Sequence, residues 1–398
     1  MGFNDFFEDV KEEFNYEEKK QEFINNLEML KTMSVEEQTL YKKWQEFNKN
    51  PDFHKFAYKF DLFEKKIWKP TNINNLNQTI EEIENLNPYI EIVDNSNQKS
   101  VEDWTLLRRL IHTMEYAANP GRNIKIIAKD KNTNKVLGMM SLGSDVTSLG
   151  VRDNWIGWTK ENKFNDGKLR CTSIGTSIVA TQPFGYNFLG GKLVAMLLTD
   201  ESLRTHWKKT YGDELVGLTT TSLYGIHSMY NGIPLWKTLG ESAGKIGLKP
   251  DDSVYKPWMD WMKDERADDF NNITKQKDGV SGPPTGVKQR ILGYIFNELG
   301  LKQSHYHHGF KRGVYFSSFY ENGREFLRGE IDADKLIMRP KFAQGSEYIN
   351  KWWKRKAIKR YTKLHNENRL KPEILYYSDI LGMTWNECKE KYLGEVGR

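Results

Sequence analysis

Apolar residues open the chain at helical spacing: Phe6, Phe7, Val10 and Phe14, then Phe23, Leu27 and Leu30. Ser34-Val35-Glu36-Glu37 has the form of a capping box and predicts a second helix. Lys69-Pro70 ends this helical region, 1–72, and the Asn-rich stretch 72–78 reads as a linker. The pattern changes at Pro88. Tyr89 to Val93 predicts a short strand, and Val101 to Tyr116 predicts an amphipathic helix with Trp104, Leu107, Leu110, Ile111 and Met114 on one face. Ile124–Ala128 and Val136–Leu142, joined by Lys131-Asn132-Thr133-Asn134, predict a hairpin. A strand over 172–181, a glycine-bearing loop over 182–191, a helix over 191–204, a strand over 215–222 and a short helix from Ile233 to Leu239 complete a core region, 88–250. Residues 251–286 read as an insertion that ends in the loop Gly279-Val280-Ser281-Gly282-Pro283-Pro284-Thr285-Gly286. Residues 287–345 add a helix over 287–299 and a strand from Val314 to Phe319, and 346–398 read as basic and helical. This order is not a regular alternation of strand and helix. It predicts an α+β fold with a mixed, mostly antiparallel central sheet flanked by helices, and with added helical segments at both ends.

Composition narrows the class. A chain of 398 residues allows two or three domains. No run reaches 18 apolar residues, so neither a spanning helix nor a membrane partner is expected. The start, Met1-Gly2-Phe3-Asn4-Asp5, shows no secretory signal. Cys171 and Cys388 cannot build a disulfide framework or a four-thiolate zinc site, and a reducing bacterial cytoplasm fits them. The net charge of +5 hides an asymmetry. Residues 1–40 carry 11 acidic and 4 basic side chains, whereas 351–363, KWWKRKAIKRYTK, carry 7 basic and no acidic ones. Such a block attracts polyanions even at modest net charge.

That block gives the first candidate site. Lys351, Lys354, Arg355, Lys356, Lys359, Arg360 and Lys363 alternate with Trp352, Trp353 and Tyr361. Cations interleaved with aromatics suit phosphate contact and base stacking, and a solvated basic helix with inward tryptophans has the same pattern. Trp352, Lys356, Lys359 and Lys363 would share one helical face.

The second candidate runs from Gln182 to Leu193, QPFGYNFLGGKL, between a predicted strand and a predicted helix. Glycines there let a ligand approach the backbone, and a helix start favours phosphate. With the element order from Pro88 to Lys245, this stretch resembles the GNAT acyltransferase fold, whose glycine loop cradles the coenzyme A pyrophosphate. The resemblance implies acetyl-CoA, or another acyl or metabolite donor, held by Gln182, Gly185, Asn187, Gly190, Gly191 and Lys192. Asn231 to Gly240 resembles the helix that follows the fifth strand of that fold. Trp236 departs from it, standing where many GNAT enzymes place the tyrosine that protonates the leaving thiolate, and indole cannot act as a general acid near neutrality. The hydroxyl-rich stretch Thr219, Thr220, Thr221, Ser222, Tyr224, His227, Ser228 and Tyr230 either satisfies strand-end backbone or positions an acceptor. In the second case Tyr230 is the proton donor and His227 the base, with Tyr224 and Ser222 beside them.

A narrower resemblance follows from Arg152-Asp153-Asn154-Trp155-Ile156-Gly157-Trp158, which is similar to a signature of the DruA family of Druantia anti-phage proteins. Leu203 to Gly212 and Ile233 to Gly244 continue the likeness in order. Arg152 and Trp155 are the candidates for nucleic-acid contact here. An acidic stretch of that family after the fifth strand is replaced by Thr219 to Tyr224. The phage Mom proteins, which modify adenine in DNA, are a fold-level analogy. His305, His307 and His308 lie within four residues, but nothing nearby completes a metal site, so no metal is expected. Three functions remain open. One is transfer of an acyl or related group to a DNA base, by a protein of a phage or mobile element. The others are a non-catalytic GNAT-like module that binds DNA in a defence or counter-defence assembly, and a phage structural protein.

Overall fold

The computed structural model describes residues 14–49, 57–116, 121–223, 225, 229–275, 286–373 and 377–393. The chain forms two compact units, Met1–Gln38 with Lys245–Gly309, and Thr39–Gly244 with Phe310–Arg398. Among the described residues no helix is long and apolar enough to cross a membrane.

The first unit is helical. Phe23, Leu27 and Leu30 of the helix Tyr16–Thr32 are fully buried, as the apolar spacing predicts. Trp258, also fully buried, meets Phe14 edge-on at 5.0 Å. Asn26 and Asp251 exchange two hydrogen bonds, one to the Asp251 carboxylate at 2.9 Å and one from its backbone N–H at 3.0 Å. Ser34 caps the next helix by accepting from the N–H of Glu37 at 3.1 Å, as its capping box predicts. The stretch read as an insertion contains two helices, Asp252–Glu265 and Ala267–Thr274. Tertiary burial of Val254, Tyr255, Trp258 and Met262 orders a segment whose local composition is polar. The Gly/Pro run 276–285 lies outside the described residues.

Most of a seven-stranded sheet lies in the second unit: β1 Pro88–Ile92, β2 Asn123–Asp130, β3 Val136–Ser144, β4 Thr172–Ala180, β5 Gly217–Ser222, β6 Lys237–Gly247 and β7 His307–Ser318. Their spatial order is β1-β2-β3-β4-β5-β7-β6. The pairs β1–β2, β2–β3, β3–β4 and β5–β7 are antiparallel, and β4–β5 is parallel. The fold is α+β, with a mostly antiparallel open sheet and flanking helices, the class the pattern predicts. Alternation sends Ile126 and Met140 to one face, with Phe184, Phe188 and Trp353. It sends Ile127 and Met139 to the other, with Trp104, Leu107 and Leu110 of the helix Gln98–Ile111.

One expected element is different. Ile233–Leu239, read as a short helix, is a turn that runs into β6. Gly232 has φ +70°, Pro234 interrupts the run, and the Trp236 N–H reaches only the Ile233 carbonyl.

The parallel pair matters for the site. β4 and β5 are in register at three positions only, Thr172↔Gly217, Ser173↔Leu218 and Ile174↔Thr219. Beyond them β4 continues along β3 and β5 along β7. Residues 229–236 are tied to the helix that follows β4. Lys192 donates to the carbonyls of Met229, at 2.9 Å, and Asn231. The Trp236 indole donates to the Ala195 carbonyl at 3.0 Å.

Candidate nucleic-acid interface

The helix Gly345–Asn366 has two unlike faces. Ile349, Trp353, Ala357, Tyr361 and Leu364, spaced by three and four residues, are buried. Trp353 donates its indole N–H to the Phe188 carbonyl at 2.9 Å, and the Tyr361 hydroxyl donates to the Ile73 carbonyl at 2.7 Å. The other face exposes Lys351, Arg355, Lys356, Lys359 and Lys363. Lys363 lies 3.8 Å from Glu367, and among the described residues the other four have no carboxylate within ion-pair reach. Lys354 is drawn sideways to the Glu84 carbonyl at 2.6 Å, and burial pushes its pKa down. Arg360 lies over the Tyr186 ring at 5.0 Å, and Lys371 lies at the same distance. Trp352 is half-buried against the core beside Lys356, Lys359 and Lys363.

The Arg-Asp-x-Trp-Ile-Gly-Trp segment divides differently from expectation. Arg152 is fully buried and presents no cation to solvent. Its guanidinium lies 2.5 Å from Asp145, donates to both Asp153 and the Val146 carbonyl, and stacks on Trp158 at 5.1 Å. Lys163 closes the cluster at 2.5 Å from Asp153, and Thr219 donates to Asp145 at 2.8 Å. Burial of these charges is tolerable because each is paired. Trp155 lies elsewhere, half-buried against Phe316 at 5.2 Å, with Lys237 and Arg324 over its ring at 5.1 and 5.0 Å. Both cations are exposed, and neither forms an ion pair among the described residues.

The glycine loop follows β4, where the sequence places it, and side chains lie close against its glycines. A Cβ on Gly190 would stand 2.4 Å from Phe184, one on Gly191 2.8 Å from the Met229 sulfur, and one on Gly185 2.7 Å from the Gln182 amide. Asn187 is buried, donating to the carbonyls of Pro183 and Lys371 and accepting the Lys371 N–H. Lys192 is spent on two carbonyls. Of the six residues assigned to a donor phosphate, Asn187 and Gly190 are buried, and Gln182, Gly185, Gly191 and Lys192 are half-buried with neighbouring side chains packed against the glycines.

The hydroxyl cluster is likewise inward. Thr220 donates to the Gly175 carbonyl at 3.0 Å, and Ser222 is buried opposite Gly313. Tyr230 lies between Tyr315, at 5.1 Å, and Trp236, at 5.9 Å, and burial pushes its pKa up to about 12. A phenol so placed holds its proton tightly. Tyr224, His227 and Ser228 lie outside the described residues. His305 is exposed in a short turn and His307 begins β7. Among the described residues no group of three or more His, Cys, Asp or Glu could hold a metal.

Sequence reasoning missed a buried basic cluster. Lys43 is fully buried and lies 3.0 Å from Glu46, which also faces Arg109 at 3.5 Å. Arg108 donates to Ser177 and to the Glu115 carbonyl. His112, nearby, accepts the Met114 N–H at 3.0 Å. The available signal was Arg108 itself, four residues after Trp104 on the apolar stripe.

Comparison with known proteins agrees with the motif. The family model for Druantia protein DruA matches residues 42–329, well over half of the chain. A Druantia protein DruA of Escherichia coli (strain UMEA 4076-1) is 28% identical over 262 residues, covering 60% of this chain and 62% of that protein. The chain thus spans about three fifths of the length of the curated relative it matches. No solved structure matches. With Arg152 and Ile156 of the motif buried, and a family match extending from the helix before the sheet to beyond its last strand, the chain belongs to the DruA family.

Proposed function

We propose that this DruA-family protein is a nucleic-acid-binding component of an anti-phage defence assembly, and that it holds duplex DNA by its phosphates. One observation carries the reading. The helix Gly345–Asn366 is anchored by Trp353 and Tyr361, so its outward row of Lys351, Arg355, Lys356 and Lys359 is displayed on a fixed support with no carboxylate to neutralise it among the described residues. Rigid, unpaired cations at helical spacing release counterions when they meet a phosphate backbone. The pair Lys237 and Arg324, held over Trp155, is a second place with the same chemistry. Group transfer to a base would require a seat for the donor. Packing of Phe184, Met229 and Gln182 against the three glycines favours binding without transfer.

The test is fluorescence anisotropy with a labelled duplex at several salt concentrations. Wild-type affinity is expected to fall linearly on a log–log plot. The triple substitution Lys351→Ala, Arg355→Ala, Lys359→Ala should reduce the slope by about 0.9 for each phosphate that is no longer neutralised. Absence of binding at low salt, or an unchanged slope in the triple variant, would overturn the reading. Modified nucleosides in DNA from cells that express the protein would restore group transfer in its place.

A further inference from the structure

A groove of about 520 Å³ lies between the start of β2, the start of the helix Gln98–Ile111 and Tyr211 at the end of the helix Glu201–Tyr211. It is within the size range of small-ligand sites. None of its lining residues is acidic, and two are cationic. Arg122 forms the structural side, ion-paired with Asp213 and stacked on Tyr211 at 4.7 Å. Lys125 is the working cation. Among the described residues its ammonium hydrogen-bonds to the Asn95 amide oxygen, at 3.2 Å, lies over the Trp104 ring at 5.9 Å, and has no carboxylate within ion-pair reach. Partial burial lowers its pKa.

The polar groups around it have unused capacity. The Tyr211 hydroxyl accepts the Asn123 N–H at 3.2 Å, which leaves its own proton to donate. Gln98 gives its amide N–H to Glu102 at 3.1 Å, which leaves its carbonyl oxygen to accept. One cation without an ion-pair partner, one donor and one acceptor around a nucleotide-sized groove match a phosphate together with the donor–acceptor edge of a base. We propose that this groove binds a single nucleotide unit, with the phosphate at Lys125 and the base or sugar edge at Tyr211 and Gln98. The unit is either a free nucleoside monophosphate or one residue of a single strand. The site does not depend on the duplex-binding face.

The experiment is calorimetric titration of the full-length chain with dAMP, adenosine, inorganic phosphate and a single-stranded oligo-dA. Binding of dAMP, with adenosine and phosphate each far weaker, supports the site and identifies a free nucleotide. Binding of oligo-dA without dAMP supports it and identifies a strand. Lys125→Gln should weaken the ligand that binds by about tenfold, the loss of one charged hydrogen bond, and Lys125→Arg should restore most of it. Tyr211→Phe should weaken it less. Duplex affinity, set by the long helix, should be the same in all three variants, so either reading can fail alone. Failure of both dAMP and oligo-dA to bind, equal binding by Lys125→Gln, or inorganic phosphate competing as well as dAMP, would overturn the proposal.

Discussion

Arg152 and Asp145, with side chains wholly shut off from water, face each other at 2.5 Å. The pair is part of a chain that continues through Asp153 to Lys163. Removing the central cation strands the buried Asp145 carboxylate, which keeps only the Thr219 hydroxyl and the Val146 N–H, while Asp153 keeps Lys163. Arg152→Ala is therefore expected to cost about 3–5 kcal/mol, the usual penalty for stranding a buried charge. Urea unfolding of the wild type and variant measures it. A change below about 1 kcal/mol, the range of exposed pairs, would mean that the cluster is solvated in solution.

Gly190→Ala separates a packed turn from an open cradle. The added methyl would meet Phe184 at 2.4 Å and Ala180 at 3.0 Å, and neither can withdraw within a filled core. A loss of about 1–3 kcal/mol in thermal or urea stability is expected, the magnitude of overpacking. A variant as stable as the wild type would show that the loop opens, and would reinstate the phosphate-binding expectation for Gln182 to Lys192.

His112 gives a pH dependence of definite sign. Burial first, and then the facing cations Arg108 and Lys43, push its pKa down to about 3 from the ordinary 6.5. Glu46 lies in the same cluster, against Lys43 and Arg109. Between these two pH values the unfolded chain takes up a proton that the folded chain refuses, so stability falls as pH falls from about 6.5 towards 3. The contribution is on the order of 5 kcal/mol at its full extent. Replacement by a group that does not titrate, His112→Gln, should flatten that acid limb in urea titrations at pH 7 and pH 4. An equally steep limb would assign the acid sensitivity to other groups. Lys43 acts at the opposite end. Burial lowers its pKa from 10.5 to about 8, so between those values the unfolded chain holds the extra proton and this group's contribution to stability rises with pH.

Trp155 is expected to act through the cations it holds. Trp155→Ala removes the ring beneath Lys237 and Arg324 and loosens both, which should weaken duplex binding about threefold, the value of an exposed cation–π contact. Lys237→Ala with Arg324→Ala should instead lower the salt slope by about two. Unchanged affinity and slope in both variants would restrict DNA contact to the long helix.

Much of the sheet was legible because its cues are local. Alternation in 124–128 and 136–142, with a polar turn between them, is enough to specify the β2–β3 hairpin. The helix at 252–265 was not legible, because its order comes from Phe14 and Asn26, more than 200 positions away in the chain. The same limit applies to the site. The two-tryptophan motif marks its own importance, but Arg152 pairs with Asp145 and Trp155 with Arg324 only after the loops close. No spacing rule therefore shows that adjacent motif residues turn inward and outward. The basic helix was readable in both respects, since a period of 3.6 separates Trp353 and Tyr361 from Lys351, Arg355 and Lys359 without reference to the rest of the chain.

The indole bond from Trp353 to Phe188 has an evolutionary corollary. The region shared with the family model stops at residue 329, so the lid over the turn after β4 is supplied from beyond the common portion. Relatives that lack a counterpart to this helix would leave the two phenylalanines of that turn covered on the Trp68 side alone, which favours smaller or more polar side chains there, or another cover. Substitutions at Phe184 and Phe188 should therefore travel together with the presence or loss of the C-terminal extension across the lineage.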